Sequence, residues 1–529
     1  MRYVLCLLVL MPVSSLADRF QTASDYADAL RDATSKRVCI AMAEVRADAV
    51  RTHIAGRCQA DSLFQIGSIT KTFTGVFLAE AVLNETLALE TPIDELIEGG
   101  APDYAGQSIT LLDLATHFSG LPRLPTNIDL NEAAQDDPYA RYGRQELNEF
   151  LNTYTLPRAP GAQMEYSNLG MGLLGDLLAR QSGMSYEDLI RSVISEPLEM
   201  SDTVITPDRK QSRRRTQGLG YDYKPVPDWR FDALAGAGAL YSTLDDMVRY
   251  AKVNLDASQS PLGSSLAFAH MSRRPVAEMG GHIGLGFFIR GAGLWHNGQT
   301  AGHKSFFGFI PEQEHAVVVL ANAPLETLDL IGAHVLEGVA LPPIEAETNS
   351  GPYAEFIGEF VMSPQFAIEI TTNGKRLFGQ ATRQPKFGTR ETGIDQFQIV
   401  GVEAQITFNR NDAGEIVSLT LFQNGQRQIA RKKGVVIERE VIELPATHLD
   451  RLVGTYQLAP GVTLTISRRG SQILAQVTGQ PAVPVYPRSP TRFYYEVVVA
   501  EIEFELGAEG VATSLILHQN GQHHAKRVE

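Results

Sequence analysis

The last third of the chain repeats itself without a gap, and this limits its fold more than any other feature. Ile357-Gly358-Glu359-Phe360 matches Val453-Gly454-Thr455-Tyr456, Gly374 matches Gly470, and Gln384-Pro385 matches Gln480-Pro481. Residues 402–408 match 498–504, and 421–426 match 517–522. Every pair is displaced by the same 96 positions, as Gly470 is from Gly374. Each copy shows short strand-like runs, frequent Gly turns and no long helix, the pattern of an antiparallel β module. Two such modules are expected, at 352–435 and 447–529, each a small closed barrel or a sandwich. Leu341-Pro342-Pro343 through Ser350-Gly351-Pro352 reads as the linker ahead of them.

What precedes the linker is mixed. A chain of 529 residues, 44% hydrophobic, has ample core for about two to four domains. Its net charge of −15 argues against a nucleic-acid partner. Residues 1–17 read as an export signal, with Arg2 as the positive region, 4–13 as the apolar run and Ser15-Leu16-Ala17 as the cleavage site. A secreted or periplasmic protein starting near Asp18 is expected. Cys6 leaves with that leader. The apolar run is short for a spanning helix, so no retained membrane anchor is expected. Cys39 and Cys58 remain, on two runs (38–45 and 49–56) that read as a hairpin turning near Asp48. That places them nearly opposite, and both a cross-strand disulfide and two separate buried thiols are open.

Between 18 and 340 the pattern alternates. Helices are expected at 24–34, 169–181 and 186–194, and a capped helix follows Thr110, stopped by Gly120 and Pro122. Another starts near Ser242 or Thr243, after the Gly/Ala turn Ala235-Gly236-Ala237-Gly238-Ala239-Leu240. Residues 285–289, 306–310 and 315–320 have strand character, the last two as a hairpin about Pro311-Glu312. The polar stretch 127–144 reads as a surface excursion.

Three motifs carry chemistry. In Phe64-Gln65-Ile66-Gly67-Ser68-Ile69-Thr70-Lys71, a turn runs into an apolar helix. Ser68 and Lys71 are three apart and share a face, so an amine can take the serine's proton beside a helix N-terminus. Ser-x-x-Lys alone arises by chance about once or twice in a chain this long. In Glu165-Tyr166-Ser167-Asn168, a tyrosine near that lysine could have its pKa lowered and relay a proton, and Asn168 could hold the lysine head or a substrate carbonyl. In Trp295-His296-Asn297-Gly298-Gln299, His296 would point an imidazole into the site and Gly298 would let substrate backbone approach. There the Gln299 N–H would join that of Ser68 as an oxyanion donor. Lys304 close by reads as a solvated lysine, with a substitute anchor for substrate as the other reading. No cluster has metal-ligand spacing, so neither metal nor organic cofactor is expected.

In this order and spacing the motifs resemble those of the penicillin-recognising serine hydrolases, the group of class C β-lactamases, DD-carboxypeptidases, D-aminopeptidases and related esterases. Leu114-Ala115-Thr116-His117-Phe118-Ser119-Gly120-Leu121-Pro122 and Phe309-Ile310-Pro311-Glu312 extend the likeness over about 20–335. The resemblance implies an α+β catalytic domain over 18–340, an antiparallel sheet flanked by helices plus a helical part, with the site between them. It also implies Ser68 as nucleophile, Lys71 as proton acceptor, Tyr166 as relay, and Asn168 with the His296–Gly298 strand as substrate-positioning elements. Many β-lactamases of the group carry lysine where this chain has His296, whereas histidine there is familiar in D-aminopeptidases and in some DD-peptidases and esterases. The tail resembles the lipocalin-like barrels of three-domain D-aminopeptidases, where a barrel loop can narrow the cleft; a passive stabilising module is the other reading. Together these imply a serine hydrolase forming an acyl-enzyme on short D-amino-acid-containing peptides. An esterase or β-lactamase with the same groups, and a binding protein acylated once without turnover, are the rival readings.

Overall fold

The computed structural model describes residues 16–529, apart from 98, 130–136, 278–279, 345–346, 364–365, 412, 424, 436–441, 496–499, 520 and 529. Most of the expected export signal lies outside the described residues. No described helix is long and apolar enough to cross a membrane. The chain forms two compact units, one ending at 344 and one beginning at 345.

The first unit is built on an eight-stranded antiparallel sheet. Its spatial order is Val50–Ala55, Ile40–Arg46, His315–Ala321, Lys304–Ile310, Gly293–Gln299, Phe288–Arg290, Gly281–Ile283 and Arg274–Val276. The early strand Ile40–Arg46 pairs along its length with His315–Ala321, Ile40 opposite Ala321, which ties the two ends of the unit together. His315–Ala321 is apolar at almost every position because both its faces are covered. Val317 and Val319 pack with Phe20, Ala27, Ile331 and Val335 of the terminal helices Leu16–Thr34 and Leu328–Glu337. Val318 and Leu320 face the opposite core, shared with helices Thr70–Leu83, Asn168–Ser182 and Leu244–Leu255.

Most expected elements are present, with boundaries set by local chemistry. Thr110 caps helix Leu111–Ala115 through a reciprocal pair with Asp113, and Thr243 caps Leu244–Leu255. Two readings are corrected. The strand expected at 285–289 begins only at Phe288. Gly286 has φ +75°, and a Cβ there would stand 2.3 Å from the Lys71 carbonyl, so the chain turns against that helix before entering the sheet. The polar stretch 127–144 is not wholly surface, because Tyr139 and Tyr142 are buried, and the Tyr142 hydroxyl donates to Asn127 Oδ1 at 3.0 Å.

Cys39 and Cys58 are joined by a disulfide with Cα atoms 6.0 Å apart, just beyond the hairpin Ile40–Arg46/Val50–Ala55. The second unit holds two closed eight-stranded antiparallel barrels, running from Gly358–Ser363 to Gln426–Lys432 and from Gly454–Ala459 to Gln522–Arg527. Closure, rather than a sandwich, removes free edges. The repeat extends to register: Ile406 faces Leu421 as Ile502 faces Leu517, and the strands bulge at Asn409/Arg410 as at Glu505/Leu506.

The disulfide closes a loop of sequence separation 19, for which loop entropy gives about 3 kcal/mol. The double variant Cys39→Ala/Cys58→Ala is expected to melt several degrees lower in calorimetry of the first unit, with catalysis at 25 °C retained; an unchanged transition would contradict a structural bond.

Candidate active site

Strand Phe64–Gln65, paired with Tyr241–Ser242, delivers the chain to a 3₁₀ turn, Gly67–Ile69, that runs directly into helix Thr70–Leu83. Ser68 lies in the turn and Lys71 in the first turn of the helix, and residues three apart along such a segment share a face, so their side chains meet. Lys71 Nζ lies 2.9 Å from Ser68 Oγ, 2.9 Å from Asn168 Oδ1 and 2.6 Å from the Ala237 carbonyl. Lys71 is wholly buried. Desolvation, reinforced by the Arg123 charge, holds its amine well below the usual lysine value. A neutral amine fits the contacts. Two N–H groups donate to Asn168 Oδ1 and the Ala237 carbonyl, and the lone pair accepts the Ser68 hydroxyl.

Asn168 opens helix Asn168–Ser182, capped by the Ser167 hydroxyl. Its amide is oriented from both ends: Oδ1 accepts from Lys71, and Nδ2 donates to the Tyr139 hydroxyl at 3.0 Å. Of the two uses open to Asn168, holding the lysine head is the one this geometry displays. Tyr166 has Lys71 Nζ 4.9 Å and the Arg123 guanidinium 5.1 Å from its ring centre, with His117 at 4.4 Å between centroids. The expected lowering of its pKa is corrected. Burial outweighs the interaction with Ser68 and pushes the phenol above its ordinary value, so Tyr166 is a neutral hydroxyl.

Strand Gly293–Gln299 forms the facing wall, and its glycine has a different use from the one expected. A Cβ at Gly298 would stand 1.9 Å from the Ile66 carbonyl and 2.4 Å from Ser305 Oγ. The close approach is that of the protein's own Ile66–Ser68 segment, fastened by the Ser305 hydroxyl donating to Ile66 O at 2.7 Å. Gly67 completes the junction, with φ +50° and no room for a Cβ, which would lie 2.7 Å from Gln299 N. The backbone N–H of Gln299 thereby lies against Gly67, the residue before Ser68. The Gln299 side chain is held by Tyr221, which accepts at 2.6 Å, and by Lys304 Nζ at 3.3 Å.

His296 is placed beside Tyr166, ring centroids 6.3 Å apart, but is almost fully buried and does not line the open cleft. Burial, with Lys71 adding to it, takes its pKa down to about 3, so the imidazole is neutral. Lys304 is likewise not solvated: it is nearly buried, with Nζ 3.4 Å from Asp329. The cleft has a volume of about 790 Å³. Arg123, Tyr139, Tyr166, Asn168 and Trp229 line it on one side, and Phe288, Trp295, Asn297, Gln299 and Lys304 on the other. Arg123, Tyr139, Trp229 and Tyr221 are absent from the sequence reading. Arg123 had a signal, since it directly follows the Leu121-Pro122 punctuation; the others come from loops with no motif of their own.

A buried amine on a serine hydroxyl, a neutral tyrosine beside them and a backbone N–H across a glycine junction define a serine hydrolase. A family model described as "Beta-lactamase" matches residues 24–338, and the chain belongs to the β-lactamase family. A second model, described as a domain of unknown function, matches 438–527. The chain is 32% identical over 289 residues to the D-alanyl-D-alanine-carboxypeptidase/endopeptidase AmpH of Escherichia coli (strain K12), covering 51% of this chain and 73% of that one. It is 27% identical to a β-lactamase of the same strain over 301 residues, 49% of this chain and 75% of that one. Penicillin-binding protein 4* of Bacillus subtilis (strain 168) is 23% identical over 417 residues, 70% of this chain and 88% of that one. A β-lactamase/D-alanine carboxypeptidase structure from Pseudomonas syringae shares the fold at TM-score 0.53 and 20% identity, covering 62% of this chain and 99% of that one.

Asn168→Asp would set a carboxylate against Lys71 Nζ and favour the ammonium. The acid limb of kcat/KM against pH is expected to move up by about one to two units, because a base with a raised pKa is unprotonated over less of the range; an unmoved limb would show that Lys71 does not set it. Gly298→Ala is expected to cost about a hundredfold in kcat/KM by displacing the Ile66–Ser68 segment, read in steady-state kinetics on protein whose circular dichroism is native.

Proposed function

We propose that the protein is an exported peptidase acting through an acyl-enzyme on Ser68, on short peptides containing D-amino acids, of DD-carboxypeptidase or D-aminopeptidase type. One observation carries the chemistry: Lys71, buried and with no acidic partner at its amine among the described residues, touches the Ser68 hydroxyl at 2.9 Å. Lys71 takes the Ser68 proton as Oγ bonds to the substrate carbonyl carbon. The N–H groups of Ser68 and Gln299 hold the resulting oxyanion. The carbonyl–leaving-group bond then breaks as the proton passes from Lys71, through the Tyr166 hydroxyl, to the departing amine. Water adds to the acyl-enzyme, loses its proton to the same base and releases the acid, and Ser68 regains its hydrogen.

The relatives named as D-alanyl-D-alanine carboxypeptidases favour a peptide whose attacked carbonyl belongs to a D-residue. His296 supports a peptidase over an efficient β-lactamase, because a neutral imidazole supplies no fixed charge for the carboxylate of a bicyclic lactam. The leader-like residues 1–17 support export.

The test is intact mass and product release with a D-alanyl-D-alanine-terminated peptide and a D-alanyl anilide. Many turnovers with wild type and none with Ser68→Ala are expected. One equivalent of product with a persistent Ser68 adduct would indicate an acyl-trapping protein instead, and turnover retained in Ser68→Ala would refute the nucleophile.

A further inference from the structure

The two cations in the cleft wall are not equivalent. Lys304 is nearly buried and committed, with Asp329 at 3.4 Å and the Gln299 side chain at 3.3 Å. The wall's carboxylate, Glu165, is paired with Arg158. Arg123 is exposed, and among the described residues its guanidinium has no carboxylate partner; its contact is the Tyr166 ring, 5.1 Å away. Yet it is not a loose surface side chain. Its carbonyl accepts from the N–H groups of Asn168 at 3.0 Å and Leu169 at 3.3 Å, and the preceding Pro122 carbonyl accepts the Ser167 hydroxyl at 2.7 Å. The backbone that carries this guanidinium is therefore bolted to the Tyr166–Asn168 segment.

A positive group held over the catalytic tyrosine, in the lining of an open cleft and lacking a counter-ion there, is suited to an anion on the substrate. The third motif strengthens the case, because His296 is neutral, buried and not part of the cleft lining, and cannot serve. A planar guanidinium offers paired N–H groups that match a carboxylate in two parallel hydrogen bonds, which a lysine cannot reproduce.

Building on the peptidase reading above, we propose that Arg123 is the specificity-determining anion anchor of the cleft, binding a substrate carboxylate within about one residue of the attacked carbonyl. That carboxylate could sit on the leaving residue, as its free C-terminus, or on the acyl half, as the side chain of the residue preceding the attacked D-alanine. The shared chemistry is a carboxylate in reach of the Tyr166 side of the cleft.

Two matched pairs of peptides separate the sources. The first pair ends in D-Ala-D-Ala with a free carboxylate or as the C-terminal amide; the second carries Glu or Gln before the attacked D-Ala. For wild type, kcat/KM is expected to favour the charged member of one pair by about ten- to a hundredfold, carried mainly by KM. Arg123→Gln is expected to bring that ratio close to one, and Arg123→Lys to retain part of it. The pair that responds names the half of the substrate that is read. If both ratios are the same in wild type and Arg123→Gln, the proposal is wrong. If Arg123→Gln moves only the acid limb of the pH profile and leaves both ratios intact, Arg123 tunes Lys71 and does not bind substrate, which also overturns it. A simple neutral ester serves as the control for the underlying reading: if wild type turns over this ester but neither peptide pair, the peptidase reading fails, whereas peptide turnover without charge discrimination removes the Arg123 proposal alone.

Discussion

A lysine amine taken wholly out of water, with no carboxylate beside it among the described residues, is the constraint on which the catalytic unit depends. Burying an ammonium alone is costly, so the group is driven toward the neutral amine. The fold then has to supply acceptors for its N–H groups, and it draws them from far apart in sequence. Asn168 comes from the start of the second-motif helix and the Ala237 carbonyl from the Gly/Ala turn, and both converge on Lys71 from the helix after Ser68. A serine hydroxyl placed against such a lone pair is a different reagent from a serine in water. The same burial keeps Tyr166 and His296 neutral and leaves the exposed positive charge to Arg123.

The position of Ser68 has a second dependence, which is mechanical. Two glycines, at 67 and 298, allow the turn bearing Ser68 to meet the strand bearing Gln299 at backbone contact. Ser305 fastens that contact from the neighbouring strand, and Lys304, Asp329 and Tyr221 immobilise the groups around Gln299. This junction joins the sheet to the helical layer and fixes the Gln299 backbone against the turn that carries Ser68.

Much of this was legible in the residues, and the failures have physical causes. Ser68 with Lys71 could be read because helical spacing converts directly into contact, and the barrels because a gapless repeat of 96 positions demands two like modules. Closure of each barrel depends on first and last strands pairing, which no local pattern announces. Roles were harder than positions. Gly298 reads as room for substrate, but the room is taken by Ile66; His296 reads as an imidazole pointing into the site, but it is buried and does not line the cleft; Lys304 reads as solvated, but Asp329 lies beneath it. In each case the deciding quantity is desolvation or a long-range neighbour. Tyr139 shows the same limit, since a polar loop sequence hides a buried ring whose hydroxyl orients Asn168.

The most direct test of the account is the ionisation of Lys71 itself. In protein labelled with ¹³C at lysine Cε, the Lys71 resonance can be assigned by its loss in Lys71→Arg and followed with pH. A midpoint well below the ordinary lysine range, with the neutral amine predominant where the enzyme works, is the expected result. A Lys71 that stays an ammonium up to its usual pKa would contradict the account, and Ser68 would need another base.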